Sequence, residues 1–115
     1  MAGPTGDRWP RKECIVIVVL GIIEVAASDR VRFLEEKGTQ VANTRAEIGC
    51  IEYVFSADAD DLSWVRLVER WETMSDLEAH IAALGKAAAP AEPPVASRMV
   101  SIDVLDAQPV RPPWA

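Results

Sequence analysis

The sequence has little of what metal sites and disulfide frameworks require. Its 115 residues include two cysteines, Cys14 and Cys50, and one histidine, His80. A zinc site takes three or four ligands, and a disulfide framework takes several cysteine pairs, so we expect neither. Each cysteine lies among apolar neighbours at the start of a predicted strand, which is typical of buried, reduced thiols. Glycine-rich phosphate loops and Gly-x-Ser-x-Gly motifs are also lacking, and ordinary cofactor-based redox chemistry is therefore not expected.

Positive charge and long apolar runs are also scarce. The formal net charge is −6, and the Lys and Arg residues are scattered, so a run of phosphates could not be neutralised and we expect no nucleic-acid partner. The longest apolar run, residues 14–23, has ten residues, whereas a membrane helix needs roughly 20. The first residues carry two prolines and mixed charge instead of a signal-peptide pattern. We therefore expect a cytoplasmic protein that does not bind membranes.

Apolar patterning predicts four strands. The first is β-branched and almost continuously apolar, which is typical of a strand buried on both faces. The second and third alternate and are joined by an acidic turn, as in a hairpin with a longer loop. The predicted strands are residues 14–25, 50–56, 63–72 and 99–105.

Two helices are predicted between these strands. The first begins after Ser28 or Asp29, is interrupted at Gly38 and ends at Gly49. Its apolar stripe consists of Val31, Leu34, Val41 and Ile48. The second helix begins at Ser75, which forms a capping box with Glu78. Leu77, Ile81 and Leu84 form its stripe.

The order β-α-β-β-α-β predicts an α+β, ferredoxin-like fold, in which a four-stranded antiparallel sheet carries both helices on one face. We assign this domain to residues 13–107, between a flexible tail at 1–12 and a Pro-rich tail at 108–115. The other sheet face is left apolar by the first strand and by Trp64 and Val68. An uncovered apolar face of this size predicts a homodimer that packs sheet against sheet.

His80 is the first candidate for chemistry. It shares the sheet-facing side of its helix with Leu77 and Leu84. It is either a core-edge histidine with one hydrogen bond or an imidazole that transfers protons in a pocket. Glu69 shares a strand face with Trp71, where an unpaired carboxylate would be costly. Glu69 and His80 are therefore either a structural ion pair or a base with its orienting partner.

Three aromatic residues accompany this pair. Trp71 either belongs to the core or forms a wall on which a flat aromatic ligand stacks. Tyr53 and Phe55 point to one face of the neighbouring strand. An aromatic pocket with a few polar groups is the usual form of a small-molecule site. The sequence thus predicts a small aromatic ligand near Trp71, Tyr53, Phe55 and Glu69.

These residues carry a family resemblance. Gly49-Cys50-x-x-Tyr53, Glu69-x-Trp71 and Leu77-x-x-His80 occur with the spacing of the antibiotic biosynthesis monooxygenase domain family. The order of strands and helices agrees over about residues 14–107. The sequence is most similar in pattern to the small quinol monooxygenases of that family.

The resemblance implies a dimeric α/β-barrel that oxidises quinols or polyketide phenols with O₂. Such enzymes need no flavin, haem or metal, because the deprotonated substrate itself passes an electron to oxygen. Carried over by position, His80 is the proton-handling catalytic residue. Trp71, Tyr53 and Glu69 match the Trp, Tyr and Glu of the family pattern.

The sequence also departs from the family pattern. Many members have a second histidine five residues after the first, where this chain has Gly85, and the proline-rich residues 87–97 replace a short helix. Haem-degrading members use an Asn in the first strand and an axial His further along, and this chain has neither. Two hypotheses remain: a cofactor-independent monooxygenase, which we favour, and a non-catalytic small-molecule-binding or stress-response dimer.

Overall fold

The computed structural model describes residues 15–115, so the predicted tail at 1–12 and Cys14 lie outside the described residues. A short 3-10 turn, Ala27–Asp29, precedes the first helix. The strands are β1 (Val16–Val25), β2 (Cys50–Ala57), β3 (Trp64–Trp71) and β4 (Ser97–Ala107), and the helices are α1 (Arg30–Glu36), α2 (Gly38–Arg45) and α3 (Met74–Gly85). No helix within residues 15–115 is both long and apolar enough to span a membrane.

The strands form one antiparallel sheet in the order β2-β3-β1-β4. This is the predicted ferredoxin-like α+β fold. Alternate residues of β1 and β3 point toward the helices and form the core, because successive side chains of a strand point to opposite faces. Besides Gly21, the buried residues of these two strands are Ile17, Val19, Ile23, Val25, Val65, Leu67, Glu69 and Trp71.

The other sheet face carries no helix, so the prediction that β1 is buried on both faces is wrong for the single chain. Leu20 lies opposite Val68 of β3 and remains 42 % exposed. Val18 lies opposite Leu105 of β4, which remains 44 % exposed. The same face also carries charged side chains, among them Arg66, Arg70 and Asp103. We call this mixed surface the open face.

The first predicted helix is instead two short helices, separated at Lys37 directly before Gly38. The predicted apolar stripe of this helix was only partly correct. Phe33 is the buried residue of α1, and Leu34 and Val41 pack at the edge of the core. Val31 is 70 % exposed, because it lies two residues from the buried Phe33 and therefore on the opposite side of α1. Ile48 is 88 % exposed, because α2 ends before it, at Arg45.

The predicted start of α3 was also wrong. Thr73 caps the helix: its extended backbone lets Oγ1 accept a hydrogen bond from the amide of Asp76 at 3.1 Å. Ser75 lies inside the first turn. The helix buries Leu77 and His80, whereas Ile81 is 58 % exposed. The side of α3 that faces the sheet is therefore narrower than the predicted stripe.

Candidate active site

A cavity of about 400 Å³ lies between the helix-covered face of the sheet and the helices. Most of its walls are apolar. Tyr53, Glu69, Val19 and Val104 lie side by side across all four strands, and each of them lines the cavity. The rim is half exposed and is formed by Ile81, Leu84, Met99, Ile102 and Val104. The polar side chains of the lining are Lys37, Gln40, Tyr53, Glu69, His80 and the exposed Ser97.

His80 occupies one wall of the cavity and is 2 % exposed. Its imidazole lies at a tilt of 33° to the Trp71 indole, with ring centroids 5.0 Å apart. The Tyr53 ring meets it edge-on at 5.2 Å. Two aromatic contacts therefore hold the imidazole in one orientation.

Glu47 is the hydrogen-bond partner of His80. Its Oε1 lies 2.9 Å from Nδ1 of the imidazole. Glu47 belongs to the turn between α2 and β2. In this turn the Glu47 amide donates to the Thr44 carbonyl, and the Cys50 amide donates to the Glu47 carbonyl. Sequence reasoning missed this residue, because a turn has no periodic signal. The predicted contact partner, Glu69, instead binds the Trp71 indole.

Glu69 is a buried carboxyl group, 6 % exposed, in the cavity wall. Nε1 of Trp71 donates a hydrogen bond to its Oε1 at 2.9 Å. Burial raises the pKa of Glu69, while the Trp71 hydrogen bond and the nearby His80 act in the opposite direction. The group is therefore easier to protonate than an exposed glutamate.

Tyr53 presents a phenol to the same space. Nε2 of Gln40 donates to its hydroxyl oxygen at 2.7 Å. Burial raises the pKa of Tyr53 to about 12, so the hydroxyl keeps its proton at neutral pH. The buried Thr44 side chain also hydrogen-bonds the Tyr53 hydroxyl, so Gln40 and Thr44 together hold the phenol in the cavity wall.

The structure brings four of the five predicted site residues to the cavity: Tyr53, Phe55, Glu69 and His80. Trp71 is fully buried behind His80 and is not among the lining residues. It supports the imidazole and Glu69, which corresponds to the core residue of the two alternatives predicted for Trp71.

Lys37 and Gln40 also line the cavity and were not predicted from the sequence. Both lie near the break between α1 and α2, where the prediction had one helix interrupted at Gly38. Nζ of Lys37 lies 5.1 Å from the Phe33 ring centroid and 5.7 Å from that of Phe55. These distances are typical of cation–π contacts. The cavity thus combines aromatic walls with one ammonium group.

Fold and site together define a ferredoxin-like α+β protein with an apolar small-molecule cavity and a buried imidazole in its wall. The chain belongs to the antibiotic biosynthesis monooxygenase family, whose model matches residues 16–84. The match includes every motif that carried the predicted resemblance. No curated protein matches the sequence.

Solved structures share the fold. A conserved protein from Methanosarcina mazei Go1 superposes with a TM-score of 0.63 at 16 % identity, covering 82 % of this chain and 94 % of that one. A candidate antibiotic biosynthesis monooxygenase from Caulobacter crescentus CB15 gives 0.55 at 21 % identity, covering 80 % and 89 %. The heme-degrader MhuD from Mycobacterium tuberculosis, with two hemes bound in its active site, gives 0.58 at 16 % identity, covering 80 % and 92 %.

Proposed function

We propose that this protein is a cofactor-independent monooxygenase that oxidises a quinol or a polycyclic phenol with O₂. One observation carries the proposal: a buried imidazole, His80, stands in the wall of an otherwise mostly apolar cavity of about 400 Å³. A cavity of this size is suited to a small aromatic molecule. An imidazole is the side chain best suited to take a phenolic proton near neutral pH.

Proton removal is the step that the protein supplies. Nδ1 of His80 is engaged by Glu47, so Nε2 is the nitrogen left to accept the phenolic proton. The resulting phenolate is electron-rich and passes one electron to O₂, and the two radicals then combine at a ring carbon. Loss of water gives a hydroxyquinone from a quinol. All four electrons for O₂ come from the substrate, with one oxygen atom entering the product and the other entering water.

The remaining polar groups orient the substrate. The Tyr53 hydroxyl, held by Gln40 and Thr44, offers one polar contact to a substrate oxygen, and the Glu69 carboxyl group offers a second polar contact on the opposite strand. The apolar walls exclude water, so the radical pair forms away from competing proton donors.

A haem does not fit these residues. A haem iron needs an axial ligand that stands clear of other groups. Metal-bound histidines do often bond a carboxylate through their other nitrogen, as His80 does with Glu47. His80, however, is 2 % exposed and packed between Tyr53 and Trp71, so its second nitrogen is reached only from the cavity, and the two rings leave little room beside it for the wide plane of a porphyrin. No step of the proposed reaction uses one.

The active species proposed is a homodimer joined through the open face. Leu20, Val68 and Leu105 are apolar side chains of the open face that a single chain leaves in contact with water. Exposing apolar side chains to water costs free energy, and a second copy that covers this surface removes that cost. Two-fold pairing is the commonest arrangement.

Oxygen consumption tests the proposal. A panel of reduced quinones and anthrones is added to metal-free protein in an oxygen electrode, with no cofactor present. We expect uptake above the autoxidation rate for at least one compound. His80→Ala is expected to lower turnover by about 10²-fold, as for a lost proton-transfer group. Equal rates for the wild type and His80→Ala would remove the catalytic role.

A non-catalytic binding protein is the second candidate. Every buried polar side-chain atom within residues 15–115 already has a hydrogen-bond partner, so the site is stable without substrate. Tight binding of panel compounds in their oxidised and reduced forms, without oxygen uptake, would favour this function. Calorimetric titration of the same compounds distinguishes the two candidates.

A further inference from the structure

Glu47 connects the buried imidazole to water. His80 lines the cavity, whereas Glu47 does not, so the imidazole ring lies between the two. The His80 side chain is 2 % exposed, but that of Glu47 is 30 % exposed. A single hydrogen bond of 2.9 Å therefore joins a nearly buried group to one that is partly exposed to water.

The backbone holds Glu47 in this place. The Glu47 amide donates to the Thr44 carbonyl at 2.9 Å, and the Cys50 amide donates to the Glu47 carbonyl at 3.2 Å. Gly49 continues the turn with a φ of 80°, and its carbonyl accepts from the Glu72 amide at 2.8 Å. The turn is thus tied to α2, β2 and the end of β3, which makes the carboxylate a positioned group.

We propose that Glu47 positions His80 and relays its proton to solvent. The inference rests on the proposed role of His80 as the base. As Nε2 takes the phenolic proton, the proton on Nδ1 moves to Oε1 of Glu47, and the exposed carboxyl group exchanges it with water. Protons return along the reverse path when oxygen is reduced. Other groups near His80 are Glu69 and Tyr53, which lie inside the cavity and lack this contact with solvent.

Two substitutions separate positioning from relay. Glu47→Gln keeps an acceptor for the Nδ1 proton but cannot take that proton up. Glu47→Ala removes both functions. With the most active quinol of the oxygen-uptake panel, we expect Glu47→Gln to lower kcat by tenfold to a hundredfold, roughly the effect of a lost proton-transfer step, with KM unchanged. Added formate is expected to restore part of kcat in Glu47→Ala. Glu78→Gln, an exposed change on α3, is the matched control.

Nitrogen-15 NMR reports on the pair without turnover. The chain has one histidine, so untagged protein gives one set of imidazole signals. The neutral ring is expected to carry its proton on Nδ1 in the wild type and in Glu47→Gln, and to lose this preference in Glu47→Ala. If no quinol is oxidised but the NMR result holds, the proposed function fails and the positioning stands. A wild-type proton on Nε2, or wild-type kcat in Glu47→Gln, would overturn the proposal.

Discussion

The indole N–H of Trp71 donates a hydrogen bond to the carboxyl group of Glu69, two residues earlier on the same strand, at 2.9 Å. Residues at this spacing share one sheet face. Trp71 is fully buried and Glu69 is 6 % exposed, so neither group can turn to water instead. The Glu-x-Trp motif thus supplies a hydrogen-bond donor for the buried carboxyl group from within the same strand.

Trp71→Phe is expected to destabilise the fold. It removes the donor and leaves a buried carboxyl oxygen without a partner, at a cost of about 2 kcal/mol or more. Urea unfolding at constant protein concentration measures the loss. Trp114→Phe, at a site that is 84 % exposed, is the control and should stay within about 0.5 kcal/mol of the wild type. Equal losses in both variants would show that the hydrogen bond does not matter.

The sheet and most of the site were predictable from the sequence, because both depend on local patterns. Alternation in β3 placed Glu69 and Trp71 on the core face, and the spacing from Leu77 placed His80 toward the sheet. Both placements are confirmed by burial. The family resemblance is confirmed by the match over residues 16–84.

The predictions failed where contacts between residues distant in the sequence determine the structure. Glu47 lies in a turn, and its bond to His80 spans 33 residues of sequence. Lys37 and Gln40 reach the cavity because the chain breaks between α1 and α2, whereas the prediction had one bent helix. Thr73 caps α3 because its backbone is extended, a feature that the S-x-x-E pattern at Ser75 does not reveal.

Glu69 should make stability depend on pH. Its pKa is raised on folding, so the folded chain binds this proton more tightly than the unfolded chain. The resulting stability is fully present below the ordinary value of 4.5 and is lost as the pH rises through the raised pKa. Glu69→Gln cannot ionise and still accepts the Trp71 hydrogen bond. We therefore expect the variant to gain stability relative to the wild type as the pH rises from below 4.5 through the raised pKa of Glu69.

Urea unfolding at several pH values checks this trend. The difference between the wild type and Glu69→Gln should grow in favour of the variant as the pH increases. Glu78→Gln, on the exposed side of α3, is the control and should show no such trend. A difference that is constant across the range would contradict the raised pKa.

Gly49 is expected to tolerate no side chain. Its φ of 80° strains any other residue, and an added Cβ would overlap the carboxylate of Asp76. Gly49→Ala should lower the free energy of unfolding by more than about 1 kcal/mol. Gly38→Ala is the contrast: an added Cβ meets nothing within 4 Å, and alanine favours the helix. That variant should be neutral or slightly more stable, and the opposite order would contradict the structure.

Leu20→Lys tests the dimer. Leu20 lies on the open face, opposite Val68 and 42 % exposed in the single chain. The wild type should show a mass near twice 12.6 kDa by light scattering. Burying lysine charges in an apolar interface is costly, so the variant should be monomeric. Val31→Lys, on α1 and 70 % exposed, should remain dimeric. A monomeric wild type at micromolar concentration would contradict the proposed assembly.

Lys37 is expected to select ligands that carry an anionic group. Its ammonium lines the cavity beside Phe33 and Phe55, and none of the ion pairs within residues 15–115 involves it. A carboxylate on a bound aromatic ring would supply the missing charge partner. In calorimetric titrations, 1-hydroxy-2-naphthoate should therefore bind the wild type about tenfold more tightly than its methyl ester does, which corresponds to one charge-assisted hydrogen bond of roughly 1.5 kcal/mol.

The substitution Lys37→Met keeps the apolar stem over the two rings and removes only the charge. It should abolish the preference for the acid while leaving the affinity of the ester nearly unchanged, because the ester makes only the apolar contacts. Lys86→Met, at the exposed end of α3 and outside the cavity lining, lowers the net charge equally and should keep the preference. If both variants lose the preference for the acid, the preference arises from the overall charge of the protein. If the wild type binds acid and ester equally well, Lys37 does not contribute to ligand recognition.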